Sequence, residues 1–106
     1  MYISSTIAHT FAYFRLKYRF GTYKEVSSNT GIDILVLMDI ESGGCHVPKS
    51  TLEKLCDYYY IRGWRKSILC TGRARLKNGD ELRIRKNKFY LNNKRVRIKN
   101  IKVWLW

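Results

Sequence analysis

The chain has 106 residues, 45% hydrophobic and 14% aromatic, with a formal charge of +13. That apolar content excludes the low-hydrophobicity signature of a disordered chain, and the length suits one core with an appendage, or two very small cores sharing an interface. No apolar run reaches the roughly 18 residues of a membrane span, and Met1, Tyr2, Ile3 and Ser4 lack the basic and then apolar pattern of a secretory signal, so a cytoplasmic location is expected.

In the first part of the chain the pattern is helical. Ser4 or Ser5 suits an N-cap, and Ile7, Phe11, Phe14 and Tyr18 recur at spacings of three and four that share one face. Gly21 breaks this helix. A short segment over 23–30 follows, then Gly31, then an apolar segment over 33–42 with Asp33 as its N-cap and the Gly43, Gly44 pair as its stop. A fourth helix is expected over 49–60, with Pro48 ahead of it and Leu52, Leu55, Cys56 and Tyr59 as its buried stripe.

The composition changes near Ile61, Arg62, Gly63 and Trp64, where Gly63 is expected to end a helix. Residues 1–62 hold seven Lys or Arg against six Asp or Glu, a net of +1; residues 63–106 hold fourteen against two, a net of +12. From Ser67 the period switches to two: Ala74 and Leu76, Leu82 and Ile84, Val96 and Ile98, then Ile101, Val103 and Leu105 alternate with polar neighbours. Turns are expected at Asn78 with Gly79, Lys86 with Asn87, and Asn92 with Asn93. The fold class is therefore α+β, a four-helix domain over 1–62 followed by a basic antiparallel β-meander of four or five strands over 63–106.

The stretch 22–43, with Thr22, Ser27, Gly31 and Ile40-Glu41-Ser42-Gly43, resembles the helix-turn-helix of the phage repressor and Cro group, an XRE-like family. The similarity extends through Pro48, Leu52 and Leu55 and covers about residues 5–61. The physical duties of these positions fit: Gly31 permits the tight turn, Ser27 lets two helices approach, and Ile32, Leu37 and Ile40 fill a small core. The resemblance implies that the helix over 33–42 docks in the DNA major groove, with Thr22, Asp33, Ile34, Val36 or Leu35, and Asp39 at the contact. The sequence departs from the pattern here. No Arg, Lys, Gln or Asn stands among these positions, and guanine and adenine are read by such donors. The apolar run 34–38 is open to three uses: core packing, a protein-protein surface, or a recognition helix limited to thymine methyls.

Period-two alternation in the tail places Arg73, Arg75 and Lys77, then Arg83 and Arg85, then Arg95, Arg97 and Lys99, then Lys102 on one face. Such a face suits phosphate contacts, since solubilising surfaces mix both signs and like charges on neighbouring strands repel until a polyanion neutralises them. Trp64, Phe89, Tyr90, Trp104 and Trp106 add rings that can stack on bases. The terminal segment with Ile101, Val103, Trp104 and Trp106 reads as an apolar edge strand suited to a homodimer contact, as in some Cro-type proteins.

Cys45, Cys56 and Cys70 form no CxxC pair and make a poor disulfide set, so reduced thiols are expected. A zinc site from Cys45, His46, Cys56 and Cys70 has unsuitable spacing. His9 and His46 lack recognisable catalytic partners, and no phosphate-binding Gly-rich loop is present, so neither enzyme activity nor a metal or cofactor is expected. The partner is expected to be nucleic acid, with DNA ahead of RNA, and the function a dimeric phage or mobile-element transcriptional regulator. The alternative is a phage-encoded anti-defence (anti-CRISPR) inhibitor, whose helix-turn-helix meets a protein partner while the basic tail engages nucleic acid or an acidic protein.

Overall fold

The computed structural model describes residues 1–19, 21–85 and 88–97, without the side chains of Tyr18 and Arg19. Helix α1 (Ser5–Phe14) begins at its expected cap, where the Ser4 hydroxyl accepts from the Ile7 N–H at 3.3 Å. Ile7 and Phe11 are fully buried and Phe14 packs beside them. The helix loosens into a π-helical turn (Arg15–Arg19).

Helix α2 (Tyr23–Thr30) is capped by Thr22, whose Oγ1 accepts from the Glu25 N–H at 3.2 Å. Its C-cap is Gly31 at φ 77, a left-handed conformation that costs a residue without Cβ almost nothing. Helix α3 (Ile34–Ser42) starts on Asp33, whose Oδ1 accepts from the Leu35 N–H at 2.8 Å. It ends on Gly43 at φ 76, where a Cβ would lie 3.4 Å from Ala8 Cβ of α1. Ile32, Leu37 and Ile40 are buried as expected. Helix α4 (Lys49–Tyr58) buries Leu52, Leu55 and Cys56, with Tyr59 just beyond its end.

Two features differ from the sequence reading. First, a fifth helix, α5 (Trp64–Thr71), occupies the stretch expected to begin the strands. Gly63 precedes it at φ 65, so that glycine opens a helix and does not end one. Ile68, Leu69 and Cys70 are consecutive and all buried, a run equally compatible with a strand, and the helix is closed by Gly72 in the left-handed region. The Ser67 hydroxyl donates to the Arg73 carbonyl at 2.6 Å and the Arg73 N–H donates to Thr71 Oγ1 at 3.3 Å, tying the helix end to the first strand. Second, the first residues pair with 44–47: the Ile3 N–H donates to the Cys45 carbonyl at 2.8 Å and the Val47 N–H to the Met1 carbonyl at 2.9 Å.

Strands β1 (Arg73–Arg75), β2 (Glu81–Arg85), β3 (Lys88–Leu91) and β4 (Lys94–Val96) form an antiparallel meander in the order β1-β2-β3-β4. Asn92 and Asn93 take positive φ, 50 and 67, at the β3 to β4 turn. The expected turn at Lys86 and Asn87, and any strand over 98–106, lie outside the described residues. Ala74, Leu82 and Phe89 are buried, and one continuous core runs from Ile3 of the N-terminal segment through the helices to Phe89 of the sheet. Among the described residues no helix is long and apolar enough to cross a membrane.

An ion-pair network joins the helices at the end of α1. Arg15 donates to Glu41 twice, from Nε at 2.7 Å and from Nη2 at 2.9 Å, and from Nη1 to the Gly21 carbonyl at 2.9 Å. The Tyr23 hydroxyl donates to Glu41 Oε1 at 3.1 Å, and the guanidinium sits 4.2 Å from the Tyr23 ring centroid. The hydrogen bond to Glu41 raises the pKa of Arg15, while burial first, and then the Glu41 charge, raises that of Tyr23. Glu41, part of the family-like signature, is thus the anchor that holds α3 to α1 and α2.

Candidate nucleic-acid interface

In an antiparallel sheet, directly opposed residues share a face, so the register sorts the tail into rows. One row reads Arg73, Arg83, Tyr90, Arg95 across all four strands. On one side of it lies the pair Arg85 and Lys88, and on the other the pair Arg75 and Glu81. The opposite face carries Ala74, Leu82, Leu91 and, at its exposed β4 end, Lys94 in one row and Ile84, Phe89 and Val96 in the next. Ala74 and Leu82 lie on the strands that pack on α5, Phe89 is buried beside them, and the first set is left outward. The outward face therefore holds six cations and one carboxylate within the strands.

The two acids of this region sit at one end. Glu81 accepts from Arg83 Nε at 2.7 Å. Asp80 is held at the turn, accepting from Asn78 Nδ2 at 2.8 Å and from Asn92 Nδ2 at 2.9 Å. Among the described residues no other cation of this face is in an ion pair. Beside β1 and β2 a concavity of about 260 Å³ is lined by Thr71, Gly72, Arg73, Arg83, Ile84 and Arg85, so three arginines border one recess. Neighbouring strands lie about 4.8 Å apart, and like charges at that spacing are unfavourable until an anion intervenes.

The sequence-expected residues distribute as follows. Arg73, Arg75, Arg83, Arg85 and Arg95 share the outward face. Lys77 lies past the end of β1 in the turn, and Arg97 just past β4; both are exposed. Lys99 and Lys102, with the dimer-edge residues Ile101, Val103, Trp104 and Trp106, lie outside the described residues. Alternation along the chain does not single out Lys88; the cross-strand pairing with Arg85 places it here. Of the rings, Phe89 is fully buried and unavailable to a base, and Trp64 begins α5 with the Arg65 guanidinium 4.9 Å from its ring. Tyr90 stands in the central row.

On α3 the outer surface is apolar. Leu35 is 69% exposed, Met38 44% and Ile34 38%, so the run 34–38 is not all core. Val36, expected at the contact, packs partly against the core, and Leu35 takes the outward position. Thr22 and Asp33 are exposed, with their side-chain oxygens occupied in capping, and Asp39 is exposed.

The thiols divide. Cys56 on α4 and Cys70 on α5 are buried with their sulfurs 3.7 Å apart, whereas Cys45 Sγ lies 3.4 Å from the Asp39 carbonyl. The hydrogen bond between the pair raises the pKa of Cys56, helped by burial, and lowers that of Cys70. Among the described residues no group of three or more His, Cys, Asp or Glu is placed to hold a metal ion. No protein-family model, curated protein or solved structure matches the chain.

Proposed function

We propose that this protein binds nucleic acid through the cationic face of its sheet, as a small DNA-binding regulator of the phage or mobile-element kind. One observation carries the reading: six Arg or Lys side chains share one face of β1 to β4 against the single carboxylate of Glu81. A surface of one sign attracts a polyanion and gains by releasing its counterions. The α2, Gly31, α3 segment is the proposed helix-turn-helix, supported by the capped helices and the left-handed glycine between them. Its donor-poor surface suits thymine-methyl contact at most, so the affinity is assigned to the sheet and modest selectivity to α3. A homodimer through the 101–106 segment belongs to the same proposal.

The test is a salt series on duplex DNA. Replacing Arg73, Arg85, Lys88 and Arg95 by Gln makes the log-log salt slope shallower by roughly 3 to 4 if all four touch phosphates. Replacing Ile34 and Leu35 by Ser leaves the slope unchanged and lowers only sequence discrimination. If the four Gln changes alter neither slope nor affinity on any nucleic acid, the proposal fails.

A second reading is favoured by the exposed Leu35, Met38 and Ile34: α3 contacts a protein partner, as in an anti-defence inhibitor, and the sheet supplies charge alone. Salt-sensitive binding with no sequence discrimination favours it.

A further inference from the structure

Tyr90 occupies the centre of the most highly charged row, where a sheet built only to hold phosphates gains more from another cation. The strand on one side presents Arg83 and the strand on the other Arg95, each about 4.8 Å away, with Arg73 beyond Arg83. The ring is partly exposed, on the face opposite the buried Phe89. A phosphodiester backbone accepts a hydrogen bond from a tyrosine hydroxyl but offers the ring nothing; a base offers the ring a π-face. In a duplex both faces of each base are covered by its neighbours, so only an unstacked strand presents that surface. Guanidinium planes also stack on rings and bases, which makes an Arg, Tyr, Arg series a continuous set of platforms edged by charge. The recess of Arg73, Arg83 and Arg85 adjoins this row and suits the phosphate of the same strand.

We propose that the sheet face takes single-stranded nucleic acid, stacking one base on Tyr90 while Arg83 and Arg95 flank it and Arg73 and Arg85 hold the backbone. The proposal rests on the nucleic-acid reading of this face and narrows its ligand from any polyanion to an unpaired strand. Selectivity among bases is weak, since every base has a π-face. Arg85 and Lys88, at the end of the face away from Glu81, continue the backbone track.

The experiment compares three labelled probes of equal length on the full chain: oligothymidylate, an abasic strand with the same backbone, and a DNA duplex. Wild type binds oligothymidylate more tightly than the abasic strand or the duplex. Tyr90→Leu weakens oligothymidylate binding roughly 5- to 150-fold, the range for loss of one base-aromatic stack, and leaves the abasic strand unaffected. Tyr90→Phe keeps the ring and retains affinity for oligothymidylate. An unchanged thermal midpoint in both variants shows that the sheet is intact. If Tyr90→Leu binds oligothymidylate like wild type, or if Tyr90→Phe loses as much as Tyr90→Leu, the stacking proposal is overturned, the second result pointing to a hydroxyl contact with phosphate. In either case the broader reading still stands provided that the arginine replacements weaken all three probes. If no probe binds in a salt-sensitive way, it is the nucleic-acid reading itself that falls.

Discussion

Removing Glu41 tests how α3 is held in place. The carboxylate is 8% exposed and accepts three hydrogen bonds, two from Arg15 and one from Tyr23. In Glu41→Ala the Arg15 guanidinium, 13% exposed, keeps only the Gly21 carbonyl and the face of Tyr23. Breaking a fully buried pair from one side costs about 3–5 kcal/mol, and this part-buried pair falls toward the lower end of that range. The expected loss is therefore about 2–4 kcal/mol, read as a lower urea midpoint and a thermal midpoint lower by roughly 4–8 °C per kcal/mol. Arg15→Met costs a similar amount, because it strands the carboxylate. The double variant Arg15→Met with Glu41→Ala leaves no unpaired charge, so it is more stable than the sum of the single losses predicts, with a coupling of about 1.5–3 kcal/mol. Strictly additive losses, or a cost below about 1 kcal/mol for Glu41→Ala, would refute the reasoning and reduce the network to a surface ion pair.

Two further outcomes follow from buried polar groups. Tyr59 is buried and its hydroxyl has no hydrogen-bond partner among the described residues, so Tyr59→Phe should leave stability unchanged or raise it by about 1 kcal/mol. Burial raises the pKa of both Tyr59 and Tyr23 above their ordinary value near 10. Their contribution is thus complete below pH 10 and lost above it, as the unfolded chain releases its phenol protons first. Tyr59→Phe flattens this alkaline decline in urea midpoints; an undiminished decline contradicts the assignment. Alkylation at neutral pH, followed by mass mapping, is expected to label the half-buried Cys45 before either member of the Cys56 and Cys70 pair. Faster labelling of Cys56 contradicts its burial.

The features legible in the chain alone are those governed by near neighbours. Thr22, Asp33 and Gly31 announce helix ends because a cap is a bond across two or three residues and a left-handed turn needs a residue without Cβ. The alternation of Ala74, Leu82, Arg73 and Arg83 announces a two-faced strand pair because side-chain direction reverses at every residue. The concentration of charge after residue 62 is a matter of composition. The remaining features depend on contacts between residues distant in the chain. Ile68, Leu69 and Cys70 suit a strand or a helix equally, and packing on α4 and β1 made them α5. Arg15 and Glu41 are 26 residues apart, and the pairing of residues 1–3 with 44–47 bridges a still wider gap; neither leaves a local trace. Above all, which side chains become neighbours across strands depends on register. That register, set by the turns and by burial of Phe89, put Tyr90 between Arg83 and Arg95 and brought Lys88 beside Arg85.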